Sequence, residues 1–319
     1  MHSFNELVTL FEDRLNGTMP FPDAPGTLYE PCRYFMTIGG KRVRPVLALM
    51  SNELFGEITE DAWRAAMGVE LFHNFTLIHD DIMDKAPLRR GKVTVHERNG
   101  LTSGILCGDV MAIYAYDQLA HIKTNLAPVL HLFNKTSIEV CEGQQLDMDF
   151  ETRNDVSIEK YIEMIKLKTA VLLACSLKMG ALLGGSTEGN ANKLYEFGKN
   201  LGIAFQLRDD YLDAFSTITG KQQGGDIKSN KKTYLLLKAQ ENANELQYQA
   251  IQSLLDRDDE SKVPAMLALY TNTGADEACK EAIAHYSQLA FECLEDAAVQ
   301  SVRKKHLHDL ASYLLTREA

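Results

Sequence analysis

Two short stretches of this 319-residue chain carry the same acidic spacing, "DDIMD" at residues 80–84 and "DDYLD" at residues 209–213. On a helix of 3.6 residues per turn, Asp80 and Asp84 project from one face with Asp81 at its margin. Asp209 and Asp213 repeat this with Asp210 beside them, and His73 and Gln206 each stand seven residues before an aspartate on nearly the same line. Like charges so placed destabilise a helix unless something neutralises them. A hard divalent cation such as Mg2+ is suited to the task, because it takes carboxylate oxygens, keeps several waters and bridges to phosphates. Two solvated acidic patches are the alternative on the acids alone. Against it, both copies lie inside apolar helical patterns about 130 residues apart, and helical bundles build metal sites from facing helices in this way.

Basic residues are positioned to answer an anion. "GGKRVRPVL" reads as a glycine turn, then Lys41 and Arg44 three apart, then Pro45 in the first turn of a helix. Cations beside exposed amides at a helix start form an anion site, although an ordinary basic cap has the same appearance. The segment lacks the GxxxxGK[ST] pattern of a nucleotide-binding loop. Arg89 and Arg90 follow the first acids and offer planar donors suited to phosphate. Lys168 and Thr169 interrupt the apolar "IKLKTAVLL", and Lys221, Lys231 and Lys232 lie on a glycine-rich stretch after the second acids. These are more cations than one magnesium-bound phosphate needs, which favours two anionic substrates. "DMDFETRNDVSIE" begins like a calcium loop but has Thr152 and Ile158 where glycine and glutamate are required, so it is not one.

The elements that must hold these groups are helices. Five of the eight prolines fall in the first 45 residues, none lies between Pro128 and Pro264, and apolar residues recur at spacings of three and four. An all-α single large helical bundle around a central cavity is expected, broken at Gly184–Gly185, Thr219–Gly220 and Thr273–Asp276. No linker or compositional break divides it, so residues 1–319 read as a single domain. A formal net charge of −11 disfavours non-specific binding to nucleic acid. The six scattered cysteines suit buried, reduced thiols. The start lacks the pattern of a signal peptide and no run is apolar enough to span a membrane, so a soluble, cytoplasmic protein is expected.

The motifs "GGKRVRP", "HNFTLIHDDIMD", "LRRGKVTVH", "GDVM", "GQQLDMDF", "KTAVLL", "FQLRDDYLD" and "GKQQGGDIKSNKKTYLL" occur in this order. Together they resemble the trans-isoprenyl diphosphate synthases, or polyprenyl synthetases. The resemblance covers most of the chain up to about residue 240; beyond that the sequence is generically helical. It implies a homodimer and a magnesium-dependent prenyltransferase that joins isopentenyl diphosphate to an allylic diphosphate. By matching position it implies that Lys41, Arg44, His73 and Arg90 hold the isopentenyl diphosphate. Arg89, Lys168, Thr169, Gln206, Lys221 and Lys231 would contact the allylic diphosphate. Asp80, Asp84 and Asp209 would ligate Mg2+, with Asp81, Asp210 and Asp213 as additional or supporting carboxylates. Loss of the allylic diphosphate, attack by the isopentenyl double bond on the allylic cation and loss of a proton make up the implied reaction. Stabilisation of departing charge is then the main catalytic effect.

Product length is expected to depend on the helix before the first acids. Thr76 and Phe72 lie beneath Asp80 by helical geometry, and Phe75 is further round. A floor at Phe75 sits roughly 7.5 Å down and one at Phe72 roughly 12 Å. With an isoprene unit of about 5 Å, these correspond to fifteen- and twenty-carbon products. Both rings could equally pack in the core. An aromatic five before the first aspartate, without an insertion in the motif, resembles the type that makes geranylgeranyl diphosphate, with farnesyl diphosphate as the alternative. A non-catalytic partner subunit would lose acids that are intact here. A terpene cyclase would not need Lys41, Arg44 and His73, and a helical phosphohydrolase would want histidines at the second acidic stretch.

Overall fold

The computed structural model describes residues 1–216 and 223–316. Lys221 and the Thr219–Gly220 break lie outside the described residues. The all-α expectation holds. The helices run α1 (Phe4–Gly17), α2 (Gly26–Thr37), α3 (Val43–Glu53), α4 (Glu60–Met83), α5 (Val95–Asn99), α6 (Leu101–Ala120), α7 (Leu126–Thr152) and α8 (Ile158–Ile165). A π-helical segment, Lys166–Ala170, leads into α9 (Val171–Leu183), α10 (Glu188–Phe215), α11 (Gly225–Lys228), α12 (Tyr234–Asn242), α13 (Glu245–Leu255), α14 (Lys262–Asn272), α15 (Ala275–Asp296) and α16 (Ser301–Thr316). A two-stranded antiparallel hairpin, β1 (Leu88–Arg89) and β2 (Lys92–Val93), pairs Leu88 with Val93 and Arg89 with Lys92. Helical periodicity gave no hint of it. No helix among the described residues is long and apolar enough to cross a membrane.

The chain forms two compact units. The first comprises residues 1–133, 176–192 and 299–306, and the second residues 134–175, 193–298 and 307–319. In the first unit α4 packs on α3 and α6. Thr59 starts α4 by accepting a hydrogen bond from Ala62 N at 3.1 Å, with Glu60 and Asp61 in the first turn. Gly68 permits the approach to α6, since a β-carbon there would stand 3.1 Å from Ala115 O. Buried polar residues are tied to backbone: Ser51 Oγ donates to Leu177 O at 2.6 Å and Asn52 Nδ2 to Gly180 O at 3.1 Å. Four of the six cysteines are buried as expected, but Cys141 is exposed and Cys293 half-buried, and no disulfide joins any of them among the described residues.

The second unit has a core of α8, α10, α12, α13, α14 and α15 side chains, among them Tyr161, Leu207, Leu235, Ile251, Met266 and Cys279. Its π segment is gripped from two sides by glycines. A β-carbon on Gly143 of α7 would stand 2.3 Å from Lys168 N, and one on Gly202 of α10 would stand 2.5 Å from Ala170 Cα. The rejected calcium loop is the end of α7, which carries Asp147, followed by a connection over residues 153–157 into α8.

Candidate active site

In the first unit the acids occupy the end of α4. Asp80 and Asp81 fall in its last turn and Asp84 caps it. Lys85 takes a left-handed φ of 51°, and Lys85 N and Ala86 N then donate back to Ile82 O at 3.2 Å and Asp81 O at 2.9 Å. This C-terminal motif stops the helix and turns the chain toward the hairpin. Arg90 (φ 53°) and Gly91 (φ 73°) form the left-handed two-residue turn that a tight hairpin prefers. The hairpin sends two neighbouring arginines to different partners. Arg89 Nε donates to Asp81 Oδ1 at 2.7 Å and Arg89 Nη2 to Asp80 Oδ2 at 3.4 Å. Arg90 Nη1 donates instead to Gly39 O, and it would stand 2.8 Å from a β-carbon on Gly40.

Asp81 is buried, which raises its pKa; Arg89 pulls the other way. Its Oδ2 is buried without a hydrogen-bond partner. Asp81 therefore faces a cation on one oxygen and presents the other unpaired.

The predicted anion-binding residues stand on α3 and α4. Arg44 Nη1 and His73 Nε2 are 3.1 Å apart, and Arg44 Nε is buried with no partner. Burial pushes Arg44 down to about 10, which still leaves it charged at neutral pH, although the residue as a whole is half-exposed. Burial and the charges of Arg44, Arg90, Arg89 and Arg42 push His73 well below its usual range, so its ring is neutral and accepts from Arg44. Lys41 is exposed on the turn before α3. Beneath the acids on α4, Phe72 meets Phe75 edge-on at 5.4 Å and Phe133 at 5.2 Å, while Phe75 meets His79 at 4.9 Å. Thr76 turns its hydroxyl to His73 O at 2.8 Å.

The sequence reading overlooked the buried ion pair at the start of α3, two residues before Arg44. Arg42, at the left-handed start of α3 with φ 49°, donates to buried Glu70 Oε1 at 2.5 Å and to Met36 O at 2.7 Å. Asn74 Nδ2 also donates to Glu70 Oε1, at 3.0 Å. The available signal was an acid in the apolar run "GVELF".

In the second unit α10 carries Gln206 and the second acids. Asp209 is exposed, Asp213 half-buried and Asp210 buried. Burial and the nearby charge of Asp226 raise Asp210 to about 7. Asp213 ties down the chain that follows it: its backbone carbonyl accepts from Gly224 N at 2.8 Å and its Oδ2 from Asp226 N at 2.9 Å. The π segment presents Lys168 to Asp147 Oδ2 at 2.5 Å and Thr169 to Gln206 Oε1 at 3.1 Å. Lys231 N donates to Asp226 O at 2.9 Å, and its ammonium is 3.9 Å from Asp226 Oδ1. Asp226 is a further residue that sequence reasoning missed. Burial and the charges of Asp213, Asp209 and Asp147 raise its pKa against the pull of Lys231. Its place directly after the glycine pair in "GGDIK" was the signal.

Among the described residues no three His, Cys, Asp or Glu side chains are gathered closely enough to hold a metal ion by themselves. The donors nonetheless suit Mg2+. They are carboxylates, Asp81 Oδ2 is a buried oxygen without a partner, and Asp226 is burdened by three neighbouring acids that a cation would relieve.

Residues 25–271 match the model of the polyprenyl synthetase family. A short chain isoprenyl diphosphate synthase of Methanothermobacter thermautotrophicus is 38% identical over 302 residues, covering 92% of this chain and 91% of its own. A geranylgeranyl diphosphate synthase of Methanosarcina mazei is 38% identical over 299 residues, with the same coverage of 92% and 91%. Among solved structures, geranylgeranyl pyrophosphate synthetase from Pyrococcus horikoshii Ot3 superposes with a TM-score of 0.92 at 36% identity, covering 99% of this chain and 97% of that one. The aspartates, arginines and helices described above therefore belong to a chain of the polyprenyl synthetase family.

Proposed function

We propose that the protein is a short-chain trans-prenyltransferase that condenses isopentenyl diphosphate with allylic diphosphates and releases geranylgeranyl diphosphate. The observation that carries this is the Arg44–His73 pair, a charged guanidinium with an unused buried donor beside an imidazole kept neutral, in a chain that keeps both aspartate stretches. A terpene cyclase has no second diphosphate for such a pair to receive. The geranylgeranyl diphosphate synthases among its relatives support the twenty-carbon product.

Lys41, Arg44, His73 and Arg90 hold the isopentenyl diphosphate, whose double bond is the nucleophile. Arg89, Lys168, Thr169, Gln206, Lys221 and Lys231 contact the allylic diphosphate, the leaving group. Fixed cations around a departing anion lower the barrier without needing to reorganise. Asp80, Asp84 and Asp209 are the oxygens that would hold Mg2+, with Asp81, Asp210 and Asp213 in support. When bound, the metal supplies the charge that draws off the diphosphate. Phe72, Phe75 and Thr76 limit the growing chain. On this reading the two units make up one domain over residues 1–319, which works as a homodimer in the cytoplasm. Exposed Leu101, Ile105, Leu106, Ile113 and Tyr116 on α6 support a subunit contact.

The test is an assay with labelled isopentenyl diphosphate and dimethylallyl, geranyl or farnesyl diphosphate, with and without Mg2+. Metal-dependent twenty-carbon product is expected. A fifteen-carbon stop would make it a farnesyl diphosphate synthase with its floor at Phe75, and no elongation with any starter would overturn the reading.

A further inference from the structure

The second aspartate pair is used unequally. Asp209 is exposed, whereas both oxygens of Asp210 are taken up inside the second unit. Asp210 Oδ1 accepts from Gln206 Nε2 at 3.0 Å, and Oδ2 accepts from the hydroxyl of Tyr161. Tyr161 is itself buried on α8. Gln206 Oε1 accepts in turn from Thr169 on the π segment. One short piece of chain, residues 161–169, thus reaches the acidic end of α10 at two points, through Gln206 and through Asp210.

A buried tyrosine needs some partner for its hydroxyl, and that alone would explain one hydrogen bond. It does not explain a buried carboxylate as the partner. A phenylalanine opposite a leucine would fill the same space without the cost of desolvating an acid. The arrangement makes sense where the direction of α10 matters. Asp209 and Asp210 differ by about 100° around the helix, and Asp213 lies between them. Holding Asp210 inward therefore sets where its two neighbours point.

We propose that Tyr161 is a positioning residue for the acidic stretch of α10. By binding Asp210 Oδ2 it makes Asp210 an anchor instead of a ligand, and keeps Asp209 turned outward as the carboxylate of this stretch that meets a divalent cation with a diphosphate. The proposal rests on the prenyltransferase reading above.

The test uses the full-length protein, with Mn2+ as a spectroscopic substitute for Mg2+ and inorganic pyrophosphate as the anion. Free Mn2+ is read by electron paramagnetic resonance. Tyr161→Phe keeps the ring and removes only the hydroxyl. It should weaken Mn2+ binding in the presence of pyrophosphate about tenfold and raise the Mg2+ needed for half-maximal turnover by a similar factor. The KM for isopentenyl diphosphate should stay within about twofold. A purely structural role would lower the melting temperature and leave Mn2+ affinity unchanged, and that result overturns the proposal. Asp210→Asn separates the two roles without relying on Tyr161→Phe folding. An anchor keeps an acceptor oxygen for Tyr161 and loses only the one that meets Gln206, so affinity should fall no more than about threefold, whereas a loss beyond about tenfold would mark Asp210 as a ligand and refute the assignment. If the unaltered protein bound no Mn2+ with pyrophosphate, the prenyltransferase reading would fail first.

Discussion

Gly143 of α7 and Lys168 of the π segment approach so closely that a β-carbon on the glycine would stand 2.3 Å from the lysine's backbone nitrogen. Lys168 is one of the cations assigned to the allylic diphosphate, so a residue without a side chain sets the position of one with a function. Gly143→Ala should destabilise the protein by about 1–3 kcal/mol in chemical denaturation, because backbone on both sides has to move. Gly17→Ala, which meets nothing within 4 Å, should stay within about 1 kcal/mol of the parent. Equal stability of the two variants would show that the π segment can shift freely.

Arg44→Lys keeps the charge but loses the planar fork and the buried Nε donor. The KM for isopentenyl diphosphate should rise about tenfold or more, with the KM for the allylic partner much less affected. Steady-state kinetics with each substrate varied in turn checks this. A similar rise in both constants would remove Arg44 from the isopentenyl set.

His73 gives a signed pH dependence. Its folded pKa lies well below the ordinary 6.5, so below that pH the unfolded chain takes up a proton that the folded protein refuses. Its contribution to stability is full above pH 6.5 and is lost as pH falls from there, until the folded His73 titrates. The slope is at most about 1.4 kcal/mol per pH unit. Buried Asp210, raised to about 7, works in the opposite sense, losing stability as pH rises toward that value. The measurement is therefore the difference between the parent and His73→Gln in urea denaturation from pH 7.5 to 5.5. The parent should lose ground on the variant below pH 6.5, and parallel curves would contradict a neutral His73.

Phe72 is 3% exposed and its ring bears on Phe75 and Phe133. If it forms the floor for a twenty-carbon product, Phe72→Ala should release products at least one isoprene unit longer, seen by chromatography. The protein should also lose about 3–5 kcal/mol of stability. Unchanged product length in a folded variant would make Phe72 a core residue only. Phe75→Ala is the companion test for the shallower floor.

The helical placement of the acidic stretches was legible from spacing: four residues on a helix bring two side chains to one face, and α4 and α10 are helices there. Arg44 and His73 were legible for the same reason, each anchored by a motif. The supports were not. Glu70 and Arg42 pair across 28 residues, and Tyr161 and Asp210 across 49, distances over which local periodicity carries no information. The π segment escaped notice because one extra residue in a turn leaves the apolar pattern almost unchanged. The hairpin is too short to show alternation; only its Arg90–Gly91 turn could have signalled it. Lys221 falls outside the described residues, so its place among the cations rests on resemblance.

Both aspartate stretches sit at the C-terminal ends of long helices, α4 ending at Met83 and α10 at Phe215. Peptide dipoles leave about half a negative charge at such an end, where the last carbonyls point outward. Ordinary helices place lysine or arginine there; these two place carboxylates. Each helix therefore adds its own field to that of its acids, and a cation arriving at either end meets a potential built partly by the backbone, which no side-chain substitution can remove.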